Sequence, residues 1–191
     1  MGGVIAALAT PSSLHDGELT LLPLDSGIPA LLVAASYDDE ITRWTQVPQG
    51  MTLLDAGLVV AGWAGNERVV RLQVCLPELS PAGLVTVWIN ARDKAEVGYW
   101  LLEAARGHGV ARRALAMLCD WTFASSDIDE LELTTLPGNT ASEKVAAACG
   151  FDDAGFIELD VKGERRSLRL WLRARDEEKR SAAGQRASVG T

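Results

Sequence analysis

Arg106-Gly107-His108-Gly109-Val110-Ala111-Arg112-Arg113 lies between a run with strand character and a run with helix character, and its reading decides the fold. A helix ordinarily opens on Ser, Thr, Asp or Asn, whose side chain satisfies the free N–H groups of the first turn. Here it opens behind two glycines with no such side chain. Arg112 and Arg113 then fall in the first turn, where the helix dipole favours negative charge, at roughly 0.3–1 kcal/mol for each misplaced cation. A bound anion removes both conflicts. The glycines let it approach the backbone closely, and the uncapped N–H groups donate to it. Departures from local rules concentrate at functional sites. The turn therefore reads as a phosphate or pyrophosphate cradle, with a flexible glycine turn between solvated arginines as the competing reading.

The residues just after the turn narrow the kind of anion. No Gly-Lys-Ser/Thr is present, which excludes a nucleotide P-loop. A dinucleotide fingerprint needs a third small residue for close helix packing, and Arg112 stands there instead. Coenzyme A is the reading that remains.

Working outward, residues 96–102 read as a strand, after 84–90 and, further back, a run from residue 69. In that run Val70, Leu72, Val74 and Leu76 alternate with Val69, Arg71, Gln73 and Cys75, as in a half-buried strand. Three strands on short links predict an antiparallel meander. Residues 18–24 read as a first strand. Ile28, Leu31, Leu32 and Ala35 predict one or two short helices over 28–44. Residues 51–65 are ambiguous, being apolar almost throughout but interrupted by Gly57 and Gly62.

Downstream, 109–125 predicts a helix with Val110, Ala114, Leu118 and Trp121 on one stripe and Met117 beside it. Residues 131–135 predict a strand with Glu130 and Glu132 on its other face. Residues 140–149 predict a helix opened by a Thr140/Glu143 capping box and closed by Gly150. Residues 155–161 and 168–173 predict a hairpin around Lys162-Gly163. This order predicts an α/β fold, a mixed and mostly antiparallel sheet of about six to seven strands with helices on both faces. The expected organisation is an N-terminal segment over 1–16, one domain over 17–175 and a disordered, charged then Ala/Ser/Gly-rich tail over 176–191.

Bulk properties bound the function. A chain of 191 residues fits a single domain, with 48% hydrophobic residues to fill a core and 23% charged residues. A formal net charge of −8 argues against nucleic acid, which selects clustered Lys and Arg. It is compatible with amine substrates. No apolar run reaches the ~18 residues of a membrane span. The opening ten residues lack the basic start of a secretory signal, so the cytoplasm is the expected location. Cys75, Cys119 and Cys149 are odd in number and lack ligand spacing, which argues against disulfides or zinc. His15 and His108 offer no metal spacing either. Arg165, Arg166 and Arg169 read as a solvated hairpin edge.

Three blocks carry a resemblance. Arg106, Gly109 and Ala111 match the Arg/Gln-x-x-Gly-x-Gly/Ala pattern of the GNAT superfamily of N-acetyltransferases. The preceding Glu96-Val-Gly-Tyr-Trp-Leu-Leu102 is similar to the strand that pairs with pantetheine in the RimJ/RimL-type branch. Pro137-Gly-Asn-Thr-Ala-Ser142, followed by Cys149-Gly-Phe151, resembles that branch's Asn-x-x-Ser helix and Gly-Phe strand start. The blocks occur in family order and spacing over residues 95–156. Before Val69 the similarity is faint. The branch's Arg-rich first strand is missing, since 19–24 holds no arginine, so the resemblance says least about the acceptor.

The resemblance implies acetyl-CoA as cosubstrate, no metal, and a splayed central strand pair. Backbone groups of Trp100, Leu101 and Leu102 would meet pantetheine. The N–H groups of Gly107, His108, Gly109, Val110 and Ala111 would hold the pyrophosphate, with Arg106 and Arg112 nearby. Asn139 and Ser142 would face the lower pantetheine arm and the thioester sulfur, although Asn139 also fits plain turn chemistry. Glu96, on one strand face with Gly98 and Trp100, is the candidate general base, with an ordinary strand-start charge as its alternative. Leu101 N–H is the candidate oxyanion donor. Ser142 is the candidate proton donor to the thiolate, or merely a helix-turn hydrogen-bonder. Trp100 and Trp44 are candidate walls of the cofactor groove and the acceptor pocket, or core residues. The acceptor is expected to be a protein N-terminal α-amine or a small-molecule amine, and a homodimer is the default assembly. A non-catalytic acyl-CoA-binding sensor and an NAD-binding oxidoreductase domain are the competing classes.

Overall fold

The alternation that begins at Val69 is realised in one continuous sheet. The computed structural model describes residues 8–176. In chain order these form β1 (Leu14–Asp16), β2 (Leu19–Pro23), α1 (Ile28–Ser36), α2 (Asp39–Trp44), α3 (Leu53–Gly62), β3 (Val69–Leu76), β4 (Leu79–Ile89) and β5 (Ala95–Leu101). A single 3₁₀ turn (Glu103–Ala105) leads to α4 (Val110–Ser125), β6 (Glu130–Thr135), α5 (Thr140–Ala148), β7 (Asp152–Val161) and β8 (Glu164–Ala174). The strands lie in the order β1-β2-β3-β4-β5-β6-β8-β7. All neighbours are antiparallel except β5 and β6, which are parallel.

Period-two alternation explains why helices cover both faces. On β4, Val85 and Val87 point into one core with Leu72 and Val97, under Ala114, Leu115 and Leu118 of α4. Leu84 points the other way, into a second core with Ile28, Leu31 and Leu32 of α1 and Ala56 of α3. Each fully buried Leu or Val contributes roughly 1.5–3 kcal/mol, so the register of β4 is fixed from both sides.

Several elements differ from the sequence expectation. The sheet has 8 strands, because Leu14, His15 and Asp16, expected in the N-terminal segment, pair with Leu21, Thr20 and Leu19. The ambiguous stretch is helical: Thr52 and Asp55 form a reciprocal capping box that starts α3 despite Gly57 and Gly62. β4 begins at Leu79 rather than residue 84, with Pro81 and Gly83 inside the strand. The α5 cap is displaced by one residue from the expected Thr140/Glu143 box. Asn139 Oδ1 accepts the Ser142 N–H at 3.1 Å, while Glu143 pairs with Arg169 at 3.2 Å.

Arg169 also binds Asp153 at 2.6 Å and stacks on Trp171, so it ties the hairpin to α5 rather than serving as a solvated edge. Glu132, expected on a polar face, is 4% exposed and paired with Arg92. The β7–β8 hairpin is longer than expected, and Lys162 (φ 53°) and Gly163 (φ 79°) supply its two left-handed turn residues. Of the expected tail, 177–191 lies outside the described residues.

The feature that positions the site is where β5 and β6 stop pairing. They share only Ala95↔Leu131 and Glu96↔Glu132. From Val97 onward β5 stays paired with β4 while β6 follows β8, and a gap opens between the two strands.

Candidate active site

Gly107 (φ 81°) and Gly109 (φ 72°) are both left-handed, a conformation that only glycine adopts cheaply. Gly109 is the N-cap of α4 and provides no side-chain cap. A Cβ at either glycine would meet nothing within 4 Å, and Gly107, His108 and Gly109 are exposed. Free N–H groups, a helix dipole and open space thus coincide, which is the physical requirement for an anion site. The two first-turn arginines differ. Arg113 is answered inside the chain by Asp16 at 2.7 Å, whereas Arg112 is exposed and lines the cavity described below.

Arg106 holds the end of β5 in place. Its Nε donates to the Leu101 carbonyl at 3.0 Å and its Nη2 to the same oxygen at 2.8 Å. Nη2 also reaches Asp38 of the α1–α2 turn at 2.6 Å, and this guanidinium holds the Asp38 carboxyl below its usual range against the opposing effect of burial. The guanidinium is therefore spent mainly on the strand end and α2.

The backbone at the gap sorts by alternation. Leu102 N–H donates to the Ala82 carbonyl, and the Trp100 carbonyl faces Gly83, where an added Cβ would lie 2.2 Å from it. The Trp100 carbonyl and the Leu102 N–H are thus turned to β4, and the Leu102 carbonyl accepts the Ala105 N–H, unlike the expectation that these groups meet pantetheine. Leu101, one residue out of phase, turns its N–H toward the gap. The Trp100 ring packs on the α1/α3 core, away from the cradle.

A cavity of about 1080 Å³ passes through this gap and joins the two faces of the sheet. Its cradle side is lined by Gly107, Gly109, Val110, Ala111 and Arg112 and by Asn139 and Ser142 of α5; His108 is not part of this lining. The opposite side is lined by Glu96, Thr134, Arg71, Trp44 and Trp88, with Met51 and Trp63 overhead.

Glu96 stands at the vertex. It is 6% exposed. Its Oε1 accepts from the Thr134 hydroxyl at 2.8 Å and its Oε2 from the Asn90 amide at 3.1 Å. The same Asn90 amide donates to Glu132 at 3.1 Å. Burial raises the Glu96 carboxyl above the ordinary glutamate range, with the nearby Glu132 charge adding to it and the Asn90 and Thr134 hydrogen bonds opposing. A carboxylate so placed can accept a proton more readily than an exposed one.

On the cradle side, the Ser142 hydroxyl lies 3.1 Å from the Tyr99 hydroxyl, and burial pushes the Tyr99 phenol up to about 12. Sequence reading passed over Tyr99, Thr134 and Arg71. Tyr99 looked like an ordinary strand aromatic. Only the period-two rule, applied to Glu96-Val-Gly-Tyr-Trp, puts it on the face opposite Glu96. Trp44 bonds Glu40 at 2.8 Å through Nε1, and its ring lies 3.9 Å from where a Cβ on Gly138 would stand, so it spans the mouth of the gap. Lys162 at the hairpin tip donates to the Thr42 carbonyl at 2.9 Å, closing that side.

All three cysteines are free and buried. Among the described residues, no group of three or more His, Cys, Asp or Glu could hold a metal ion, and no helix is long and apolar enough to cross a membrane.

Known proteins resemble this chain in sequence and in fold. The acetyltransferase (GNAT) domain family matches residues 18–152. The uncharacterized N-acetyltransferase p20 of Bacillus licheniformis is 23% identical over 170 residues, covering 84% of this chain and 93% of that protein. The probable N-acetyltransferase YjcK of Bacillus subtilis is 29% identical over 73 residues; that match covers 38% of this chain and only 40% of the relative's length. Among solved structures, Mycobacterium smegmatis RimJ in complex with CoA-disulfide superposes with a TM-score of 0.70 at 25% identity, covering 97% of this chain and 94% of that one.

Proposed function

The chain belongs to the GNAT acetyltransferase family, and from that footing we propose that it transfers an acetyl group from acetyl-CoA to a primary amine by direct attack in a ternary complex. One observation carries the reading. An uncapped helix N-terminus behind two left-handed glycines opens onto the same cavity as a buried carboxylate, through the gap between two parallel strands. The CoA-disulfide held by the M. smegmatis relative supports the choice of ligand.

In this reading the pyrophosphate rests on the N–H groups from Gly107 to Ala111, with Arg112 beside it. Arg106 keeps the Leu101 carbonyl occupied, which leaves the Leu101 N–H as the strand's donor in the gap. Asn139 fixes the first turn of α5 so that Ser142 faces the thioester sulfur.

The acceptor amine arrives from the α1–α3 side. A lysine-like amine has a pKa of ~10.4 and an N-terminal one ~8, so it must lose a proton before it attacks. Glu96 takes that proton, directly or through one water. The nitrogen then bonds to the thioester carbon, and charge developing on the carbonyl oxygen is met by the Leu101 N–H. The C–S bond breaks. The departing thiolate takes a proton from the Ser142 hydroxyl, and the proton that the attacking nitrogen sheds as the amide forms restores that hydroxyl, with the Tyr99 hydroxyl 3.1 Å behind it. Protein N-terminal and small-molecule amines both fit this sequence of steps.

Incubation with labelled acetyl-CoA and a panel of amines and short peptides tests the proposal. Label transferred to an amine by the native protein, and reduced in Glu96→Gln, supports it. Binding of acetyl-CoA with no transfer across the panel replaces it with a non-catalytic acyl-CoA-binding role.

A further inference from the structure

On the acceptor side of the cavity stands a cation without a partner. Arg71 of β3 is half-buried, and among the described residues its guanidinium meets no carboxylate or other hydrogen-bond acceptor. Its contact is the Trp63 ring, 4.4 Å away. Burial pulls its pKa down. A half-buried guanidinium that faces the cavity with no acceptor from the described residues is free to pair with an anion that enters there. Packing alone would be served as well by an uncharged side chain.

Its placement relative to the reaction centre is set by the sheet. Arg71 pairs with Thr86, and Thr86 with Gly98. Gly98 is two residues from Glu96, so all four share one face. The rung between Arg71 and the gap carries only a threonine and a glycine, which leaves a shallow trough about 10 Å long, two strand spacings. Aromatic rings flank it: Trp63 over Arg71, and Trp88 against Gly98, where an added Cβ would lie 3.2 Å from the ring. The carboxylates on this side do not compensate Arg71. Glu40 is bonded to Trp44, Glu96 lies at the far end of the trough, and Asp160 is an exposed residue of β7.

We propose that the acceptor is a small amine whose body carries an anionic group, a carboxylate or a phosphate, seated on Arg71 while the amine lies at the gap. The inference rests on the acetyltransferase reading and names its substrate class. A planar guanidinium fork binds either anion in a bidentate manner, and the tryptophan walls suit an apolar or flat spacer between amine and anion. A polyamine, with a second cation in place of the anion, is repelled by Arg71.

The test uses matched acceptors: ω-amino carboxylates of graded length against their amides, and ω-aminoalkyl phosphates against the parent amino alcohols. The anionic member should exceed its neutral partner in kcat/KM by about tenfold or more, mainly through KM, as expected for a charge-assisted contact. The arm with the larger ratio identifies the anion. Arg71→Gln should bring the ratio close to one while acetyl-CoA still raises the melting temperature, which shows the variant folded; Arg71→Lys should restore part of the preference. Neutral partners or polyamines turned over as well as the anionic amines overturn this proposal and leave acetyl transfer standing. No turnover in any arm, with acetyl-CoA bound, overturns both.

Discussion

The Thr134 hydroxyl donates to Glu96 Oε1 at 2.8 Å, from β6 to β5, just past the last backbone rung that the two strands share. A side-chain bond thus continues the pairing that the backbone abandons. It fixes the carboxylate at the vertex of the gap, where in the proposed reaction an amine entering from one face meets an acyl group held on the other.

Glu96→Gln should lower kcat by a factor of about 10²–10⁴, the usual contribution of a positioned base. In the native protein, activity should rise with pH through a pKa above the ordinary glutamate range, because burial raises that carboxyl. The variant should lose this limb. An unchanged pH–rate profile removes Glu96 as the base.

The same shift makes a stability prediction of opposite sense. With its pKa raised on folding above the ordinary 4.5, Glu96 binds more protons in the folded than in the unfolded state between the two values. Stability therefore falls as pH rises through that window, and the penalty is complete above it. Glu96→Gln should melt no lower than the native protein at about pH 8, with its relative advantage gone by about pH 4. A variant destabilised at high pH would mean that the Thr134 and Asn90 hydrogen bonds outweigh burial.

Much of this arrangement was legible in the sequence, for identifiable reasons. The cradle announced itself through a local conflict, glycines and arginines where a capped, acidic first turn belongs. Residues 69–76 showed the sheet through alternation. The gap was available only through family resemblance, because loss of pairing between two strands leaves no local pattern. The roles of Arg106 and Arg113 were hidden for a related reason. Their partners Asp38, Leu101 and Asp16 are settled by tertiary contact, which no spacing rule encodes. Thr140 misled because Asn139 beside it is an equally good cap, and the two differ only in backbone conformation.

Two glycine substitutions should move stability in opposite directions. Gly57 is inside α3 with open space where a Cβ would stand, so Gly57→Ala should stabilise by about 0.5–1 kcal/mol. At Gly83 a Cβ would lie 2.2 Å from the Trp100 carbonyl and 2.9 Å from Leu101 Cα. Gly83→Ala should destabilise and also weaken acetyl-CoA binding, since it displaces the strand end at the gap. Denaturant titration with and without ligand checks both; equal effects at the two sites would contradict the packing described here.

Asn139→Ala removes the oxygen that accepts the Ser142 N–H. A lost N-cap costs about 1 kcal/mol, or about 2–4 °C in melting temperature for a chain of this size. Turnover should fall further than that loss of folded protein explains, because Ser142 loses its anchor. Asn139→Asp should recover the stability, and failure to do so would show that Asn139 is not serving as a cap.

Whether the glycine turn holds acetyl-CoA is decided by thermal unfolding with and without excess acetyl-CoA, with NAD and ATP as controls. Ligand at ~100-fold above Kd stabilises the folded state by ~2.7 kcal/mol, a rise of several degrees at about 2–4 °C per kcal/mol. Acetyl-CoA should produce that rise, and the controls should not. No shift at millimolar acetyl-CoA, or a larger one with NAD, would contradict that role for the turn.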